Sequence, residues 1–223
     1  MSMEGQSYRV APRLPDPIGA PPDVVVNLIK CPSFESATVG PSGIPGTNDW
    51  NITQSGAVDN TQTTDWSTSG THSLRFATTD ANDNFVELRT DLMPVSPSLM
   101  YYGLVNFRGN PDPDPQWSIG MAVLWYTSDD VLINEVGGAP VTLEDFVNGT
   151  GVASPSPSNA AKAKIRVYAS IAAGSAVGTY GFLDSVMFGT SSVNFDGDTT
   201  DAGGYVYDWT ATPHESTSTR TPV

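Results

Sequence analysis

The sequence predicts an all-β chain: an antiparallel β-sandwich with an extended N-terminal arm and a C-terminal tail. Two observations carry this. Short runs rich in β-branched and aromatic residues recur along the chain, separated by turn residues, and 21 glycines and 18 prolines punctuate them. Helix formers such as Lys, Arg and Gln are sparse, and few helical periods compete with the alternating ones. With 39% apolar residues among 223, a core can form in one sizeable domain.

Residues 1–23 hold Pro12, Pro15, Pro17, Pro21 and Pro22, which forbid a helix and disfavour sheet pairing, so they read as an arm or linker. The sandwich is placed at 24–190. "VVVNLI" is a β-branched run, and "HSLRFA" alternates, with Leu74 and Phe76 on one face and Ser73, Arg75 and Ala77 on the other. "NFVELRT" follows the turn "TTDANDN". "LMYYGLVNF" and "WSIGMAVLWY" are long strands, and three prolines in "RGNPDPDPQ" keep the segment between them out of a sheet. "VLINEV" comes next, whereas "TLEDFVNG" fits either one helical turn or an edge strand. "KAKIRVYASI" puts Ala163, Ile165, Val167, Ala169 and Ile171 on one face and Lys162, Lys164, Arg166, Tyr168 and Ser170 on the other. "TYGFLDSVMF" closes the series, and its period puts Asp184 on the face of Val186 and Phe188, pointing inward. The segment 191–223 opens on aspartates and glycines and then alternates Tyr205, Tyr207 and Trp209 against Val206 and Asp208, a strand fit to add to a neighbouring sheet.

Charge and composition narrow the function. The net charge of −14 repels nucleic acid and anionic lipid. One cysteine, Cys31, excludes an intramolecular disulfide and a cysteine-based zinc site, and its apolar setting reads as burial. No run of about 18 apolar residues predicts a membrane span, and the N-terminus lacks the apolar stretch of a signal peptide.

Four motifs then fall in order: "NLIKCPSFES", "GTHSLRF", "SPSNAAKAKIRVY" and "GFLDSVMF". Together they resemble the opening, second, late and closing motifs of jelly-roll carbohydrate-binding modules, so the sandwich is expected to be a jelly roll of that kind. The resemblance implies that Glu35 and Asp184 help hold a structural calcium; the alternative for a buried Asp184 is a carboxylate satisfied by backbone amides or an arginine. In the opening motif Cys31 replaces the family's asparagine. The tail "FDGDTTDAGGYVYDWTATPHESTSTRT" resembles a segment of minor tail proteins from phages of mycobacteria and related actinobacteria. This implies a virion tail protein made in the host cytoplasm, with other tail proteins as partners, a trimer from the symmetry of tails, and host cell-wall polysaccharide as a contact.

The residues themselves offer three kinds of site. Sugar rings are gripped by exposed aromatic faces beside polar groups, and Trp50, Trp66 and Trp117, which border loops, with Tyr168 are the candidates. Each tryptophan is also a candidate for the core; Trp117 continues the face of Met121, Val123 and Trp125. Asp196, Asp198 and Asp201 are spaced D-x-D-x-x-D, without the late Glu of a twelve-residue calcium loop, so they read as turn formers. For catalysis there are two histidines, His72 and His214, and no nucleophile elbow, H-E-x-x-H or phosphate loop. The chain is therefore expected to be a non-enzymatic minor tail protein. A dedicated glycan-binding module is the alternative, and a polysaccharide depolymerase working through Asp129–Asp130 or Glu144–Asp145 stands behind both.

Overall fold

The structure, a computed structural model, describes residues 24–47, 49–109, 117–142, 148–199 and 204–222. Among these, fifteen strands and no helix form the regular structure: β1 (Val25–Asn27), β2 (Trp50–Ser55), β3 (Val58–Thr63), β4 (Ser73–Thr78), β5 (Asn84–Thr90), β6 (Met93–Pro94), β7 (Met100–Gly109), β8 (Ser118–Tyr126), β9 (Leu132–Gly137), β10 (Val141–Thr142), β11 (Asn148–Pro155), β12 (Lys162–Ile171), β13 (Tyr180–Gly189), β14 (Tyr205–Trp209) and β15 (Ser218–Pro222). The arm at 1–23, the acidic pair Glu144–Asp145 and Asp201 lie outside the described residues.

Every ladder is antiparallel. One sheet runs β10-β8-β12-β5-β2, with β9 on β8 and β6 on β12; the facing sheet runs β11-β7-β13-β4-β3. The main core lies between them. β12 buries the five residues of its apolar face, as its alternation predicts, against Val86 and Leu88 of β5 and Met121, Val123 and Trp125 of β8. Leu74, Phe76, Val105, Phe107 and Phe188 come from the other sheet. Each such side chain contributes roughly 1.5–3 kcal/mol on leaving water. Cys31 is buried, as expected.

A third sheet, β1-β15-β14, covers part of the outer face of the β7–β13 sheet. Met187, Phe195 and Tyr207 form a second core there, with Val25 and Leu104 packed against it. The C-terminal strand β14 keeps its predicted period: Tyr207 is buried while Val206 and Asp208 face water. Asn27, wholly buried, ties this sheet to β13. Its amide N–H donates to the carbonyls of Val186 (3.2 Å) and Phe195 (3.0 Å), and its Oδ1 accepts from the N–H of Ile29 and Phe188.

The structure corrects the reading of β13. Asp184 does not share a face with Val186 and Phe188. The ladder with β7 shifts by one residue between Asp184 and Met187: Asp184 pairs with Asn106, Met187 with Leu104. Ser185, at φ 50°, is the extra residue of a β-bulge. An extra residue reverses the period, so Leu183 and Val186 both point into the core while Asp184 stands on the outer face. Asp184 is nonetheless fully buried, because the 65–72 loop lies over it.

Candidate functional site

On the outer face of the β7–β13 sheet, cross-strand pairing sets four side chains in a row: Thr61 opposite Arg75, Arg75 opposite Phe182, Phe182 opposite Arg108. Phe182 thus sits between two arginines. Tyr180, two residues before it, is on the same face, and the Arg75 guanidinium lies 4.9 Å from its ring centroid. Phe182 meets Tyr180 edge-on, with centroids 5.2 Å apart, and Trp66 at 5.8 Å on its other side.

Trp66 reaches Phe182 because its loop is pinned by two carboxylates. Asp184 Oδ2 accepts from the N–H of Thr68 (2.5 Å) and Ser69 (2.9 Å) and from the Thr68 hydroxyl (2.8 Å), while Oδ1 accepts from the Ser185 N–H (2.7 Å). Glu35 accepts from the N–H and hydroxyl of Thr71, from the N–H of His72, and meets the His72 ring at 2.9 Å. Burial raises the Asp184 carboxyl to about 7, against the opposing pull of those donors.

Between this loop and the strands opens a cleft of about 460 Å³, lined by Thr61, Gln62, Thr63, Asp65, Arg75, Arg108, Gly109, Tyr180 and Phe182. Its volume falls within the range of small-ligand sites. The two arginines supply planar arrays of donors, Asp65 and the hydroxyls of Thr61 and Thr63 accept, and Tyr180 offers a half-exposed ring. Aromatic carbon flanked by donors and acceptors suits a polyhydroxylated ring.

The predicted sugar contacts are not in this cleft. Trp50 is fully buried and donates its indole N–H to the Cys31 carbonyl at 3.3 Å. Trp117, 1% exposed, donates to the Thr179 carbonyl and meets Phe76 edge-on. Both belong to the core, so neither can stack on a sugar. Trp66 shows 9% of its surface and serves as a wall behind Phe182. Tyr168 lies on the outer face of the opposite sheet, its ring over Gly120 and the Arg166 guanidinium 4.8 Å away. The cleft residues Arg75, Arg108 and Tyr180 were absent from the expectation. The one signal for them is the strand period, which already sets Arg75 opposite Leu74 and Phe76.

The calcium implied for Glu35 and Asp184 does not fit their arrangement. The oxygens of both carboxylates point at N–H and O–H donors, which would repel a cation. Among the described residues no group of three His, Cys, Asp or Glu stands close enough to hold a metal. The two acids instead staple opposite ends of one loop, the amide-satisfied alternative.

No family model matches the sequence, and no curated protein matches it. Solved structures do match. A carbohydrate-binding module, TmCBM61 in complex with β-1,4-galactotriose, superposes with a TM-score of 0.50 at 18% identity, over 73% of this chain and 97% of that one. The chain has the β-sandwich fold of carbohydrate-binding modules. The enzymatically active domain of tailspike protein 4 from bacteriophage CBA120 superposes with a TM-score of 0.54 at 12% identity, over 73% of this chain. Only 21% of the tailspike is covered. At these identities the likeness is one of fold.

Proposed function

We propose that this carbohydrate-binding-module-like sandwich binds a glycan, without cleaving it, in the cleft between Arg75, Arg108 and Tyr180. We further propose that it does so as a minor tail protein of an actinobacterial phage, at the tail tip or tail surface, where the glycan is host cell-envelope polysaccharide. The observation that carries glycan binding is the cleft itself: the half-exposed ring of Tyr180, backed by the buried Phe182, bordered by two arginines and by hydroxyl and carboxylate acceptors. The tail setting is supported by the resemblance of residues 195–221 to tail-protein segments and agrees with the shared fold of a tailspike domain. In that setting other tail proteins are partners, a trimer is the expected assembly, and the arm at 1–23 is the docking segment. Binding without cleavage is favoured by the fate of one acidic pair: Asp130 sits in an exposed turn with its carboxylate 2.5 Å from the Lys162 ammonium.

Titration of the purified chain with cell-envelope polysaccharides of actinobacteria, arabinogalactan among them, tests the reading. Arg75→Ala and Tyr180→Ala should each weaken binding by about tenfold or more, the loss of one stacking or charge-assisted contact. A flat response across the panel from folded protein would refute glycan binding. Release of sugars from the polysaccharide would refute the non-catalytic reading. Absence of the chain from purified virions would refute the tail role.

A further inference from the structure

The charge of the cleft runs against that of the molecule. The chain carries a net charge of −14 with only 10 basic residues, yet two arginines, Arg75 and Arg108, line one cleft with a single acid, Asp65. Four of its other cations answer its own acids: Lys30 lies 3.7 Å from Asp49, Arg89 2.6 Å from Glu87, Lys162 2.5 Å from Asp130 and Arg166 2.9 Å from Glu135. Arg75 has no such partner among the described residues. Its guanidinium rests on the Tyr180 ring, 4.9 Å from the centroid. Two further arginines rest on tyrosines, but each has a polar partner as well: Arg166 meets Glu87 and Glu135, and Arg220 donates to the Tyr207 hydroxyl at 3.2 Å. Among the described residues nothing accepts from the side-chain N–H groups of Arg75. Asp65 is exposed and forms no ion pair with it.

A guanidinium is a permanent charge with its donors in one plane. Stacking on a ring fixes that plane and occupies its face, so the edge stays available to a planar acceptor. Neutral sugar hydroxyls can be met by Thr61 and Thr63, which line the same cleft, and do not call for a full charge. An anion does: arginine contacts with carboxylate or phosphate are shorter than neutral hydrogen bonds and roughly twice as strong. We infer that the cleft selects an acidic glycan, whose carboxylate or phosphate is held by Arg75 while the sugar lies against Tyr180; this rests on the reading of the cleft as a glycan site. Arg108 stands on the other side of Phe182 from Arg75, two strand spacings or roughly 10 Å away along the sheet. It lies across the cleft, where it donates to the far side of the ligand. The charge of the whole chain does not forbid an acidic ligand. Exposed charges are screened beyond about 8 Å at physiological ionic strength, so at contact the ligand meets the charge of the cleft.

The test takes polysaccharide from actinobacterial cell envelopes, separated by anion exchange into neutral and acidic fractions, and measures binding to the full chain by calorimetry. The acidic fraction should bind at least about tenfold more tightly than the neutral one. Two treatments identify the anion: reduction of carboxyl groups to primary alcohols, and hydrolysis of phosphate esters with hydrofluoric acid. The treatment that removes the bound group should abolish the preference for the acidic fraction, and so tells a uronate from a phosphate. Arg75→Gln shortens the side chain little and removes its charge. It should bring the acidic fraction down to the affinity of the neutral one, whereas Tyr180→Ala should weaken both. A neutral fraction that binds as tightly as the acidic one would overturn the inference and leave glycan binding standing. So would an acidic fraction whose affinity survives both treatments, or survives Arg75→Gln. Binding of neither fraction would refute glycan binding itself, and this inference with it. Should Arg75→Gln fail to fold, Arg108→Gln replaces it, with the same loss of preference expected.

Discussion

Asp184→Asn should make the protein more stable than wild type at pH 8, by a smaller margin of about 1–2 kcal/mol at pH 5, and no more stable below about pH 4. Burial raises the Asp184 carboxyl from 3.8 to about 7 in the folded chain. The folded state therefore keeps a proton that the unfolded state has released across the range between those values. Stability falls with pH wherever the native state binds more protons, so the contribution of Asp184 is intact below about pH 4 and lost as pH climbs to 7. The rise from 3.8 to about 7 corresponds to about 4 kcal/mol. Lifting of the 65–72 loop would let water reach the carboxylate and cap the penalty, so a difference of about 2–4 kcal/mol is expected. Asparagine imitates the neutral acid: its carbonyl can accept from Thr68 and Ser69 as Oδ2 does now. Urea denaturation of both proteins at pH 5, 6.5 and 8 provides the assay, and only the difference between them is used, so that contributions common to both cancel. A difference that stays constant would refute the assignment. A wild type that gains on the variant as pH rises would show that the four donors around the carboxylate outweigh its desolvation.

Two substitutions probe the packing. Trp117→Ala should lose about 3–5 kcal/mol by thermal or chemical denaturation, as for a large core aromatic, and Trp117→Phe about 1 kcal/mol with the indole hydrogen bond; Trp117→Phe should bind glycan as wild type does. Gly120→Ala should cost about 1–3 kcal/mol, because the new methyl would stand 2.4 Å from the Tyr168 ring. Adding Tyr168→Ala should recover most of that loss, and a double-mutant cycle without coupling would show that the ring does not rest on Gly120.

How far the sequence revealed the fold depended on whether a strand's burial was one-sided. β12 alternates without a break, one face on the core and one in water, and its limits and inward residues were legible. β2 and β3 were not, because "WNITQS" and "VDNTQT" bury little: only Trp50 and Val58 are fully covered, Ile52 packs partly against the core, and the rest of each strand is polar. The same holds for β15, whose "STRTP" is a strand only because β1 and β14 pair with it on either side. Loop tryptophans misled for a related reason. Trp50 opens β2 and Trp117 immediately precedes β8, at the sheet margin, where sequence shows a neighbouring loop and not the core that closes over them. The cleft was half legible: parity gives the face of Arg75, but its register with Phe182 and Arg108 joins strands far apart in sequence.

One residue, Ser185, organises the outer face. On its C-terminal side β13 presents Met187, which the C-terminal sheet covers. On its N-terminal side β13 presents Asp184, Phe182 and Tyr180, and there the sheet is left to the 65–72 loop and the cleft. Without the bulge the period would run through unbroken. With Val186 and Phe188 in the core, Asp184, Phe182 and Tyr180 would also point inward, and Leu183 would face water. The extra residue reverses the inward set at that point. It keeps Leu183 in the core, brings a carboxylate out to pin the loop, and turns two aromatics toward the cleft. Deleting Ser185 would therefore have to choose between the core and the cleft. A buried Leu183 is worth about as much as any other core leucine, whereas a buried Asp184 without its loop amides is not tolerable. The bulge is thus the device by which one strand keeps its inner face in the core on both sides of Ser185 while its outer face passes from the C-terminal sheet to the loop and the cleft.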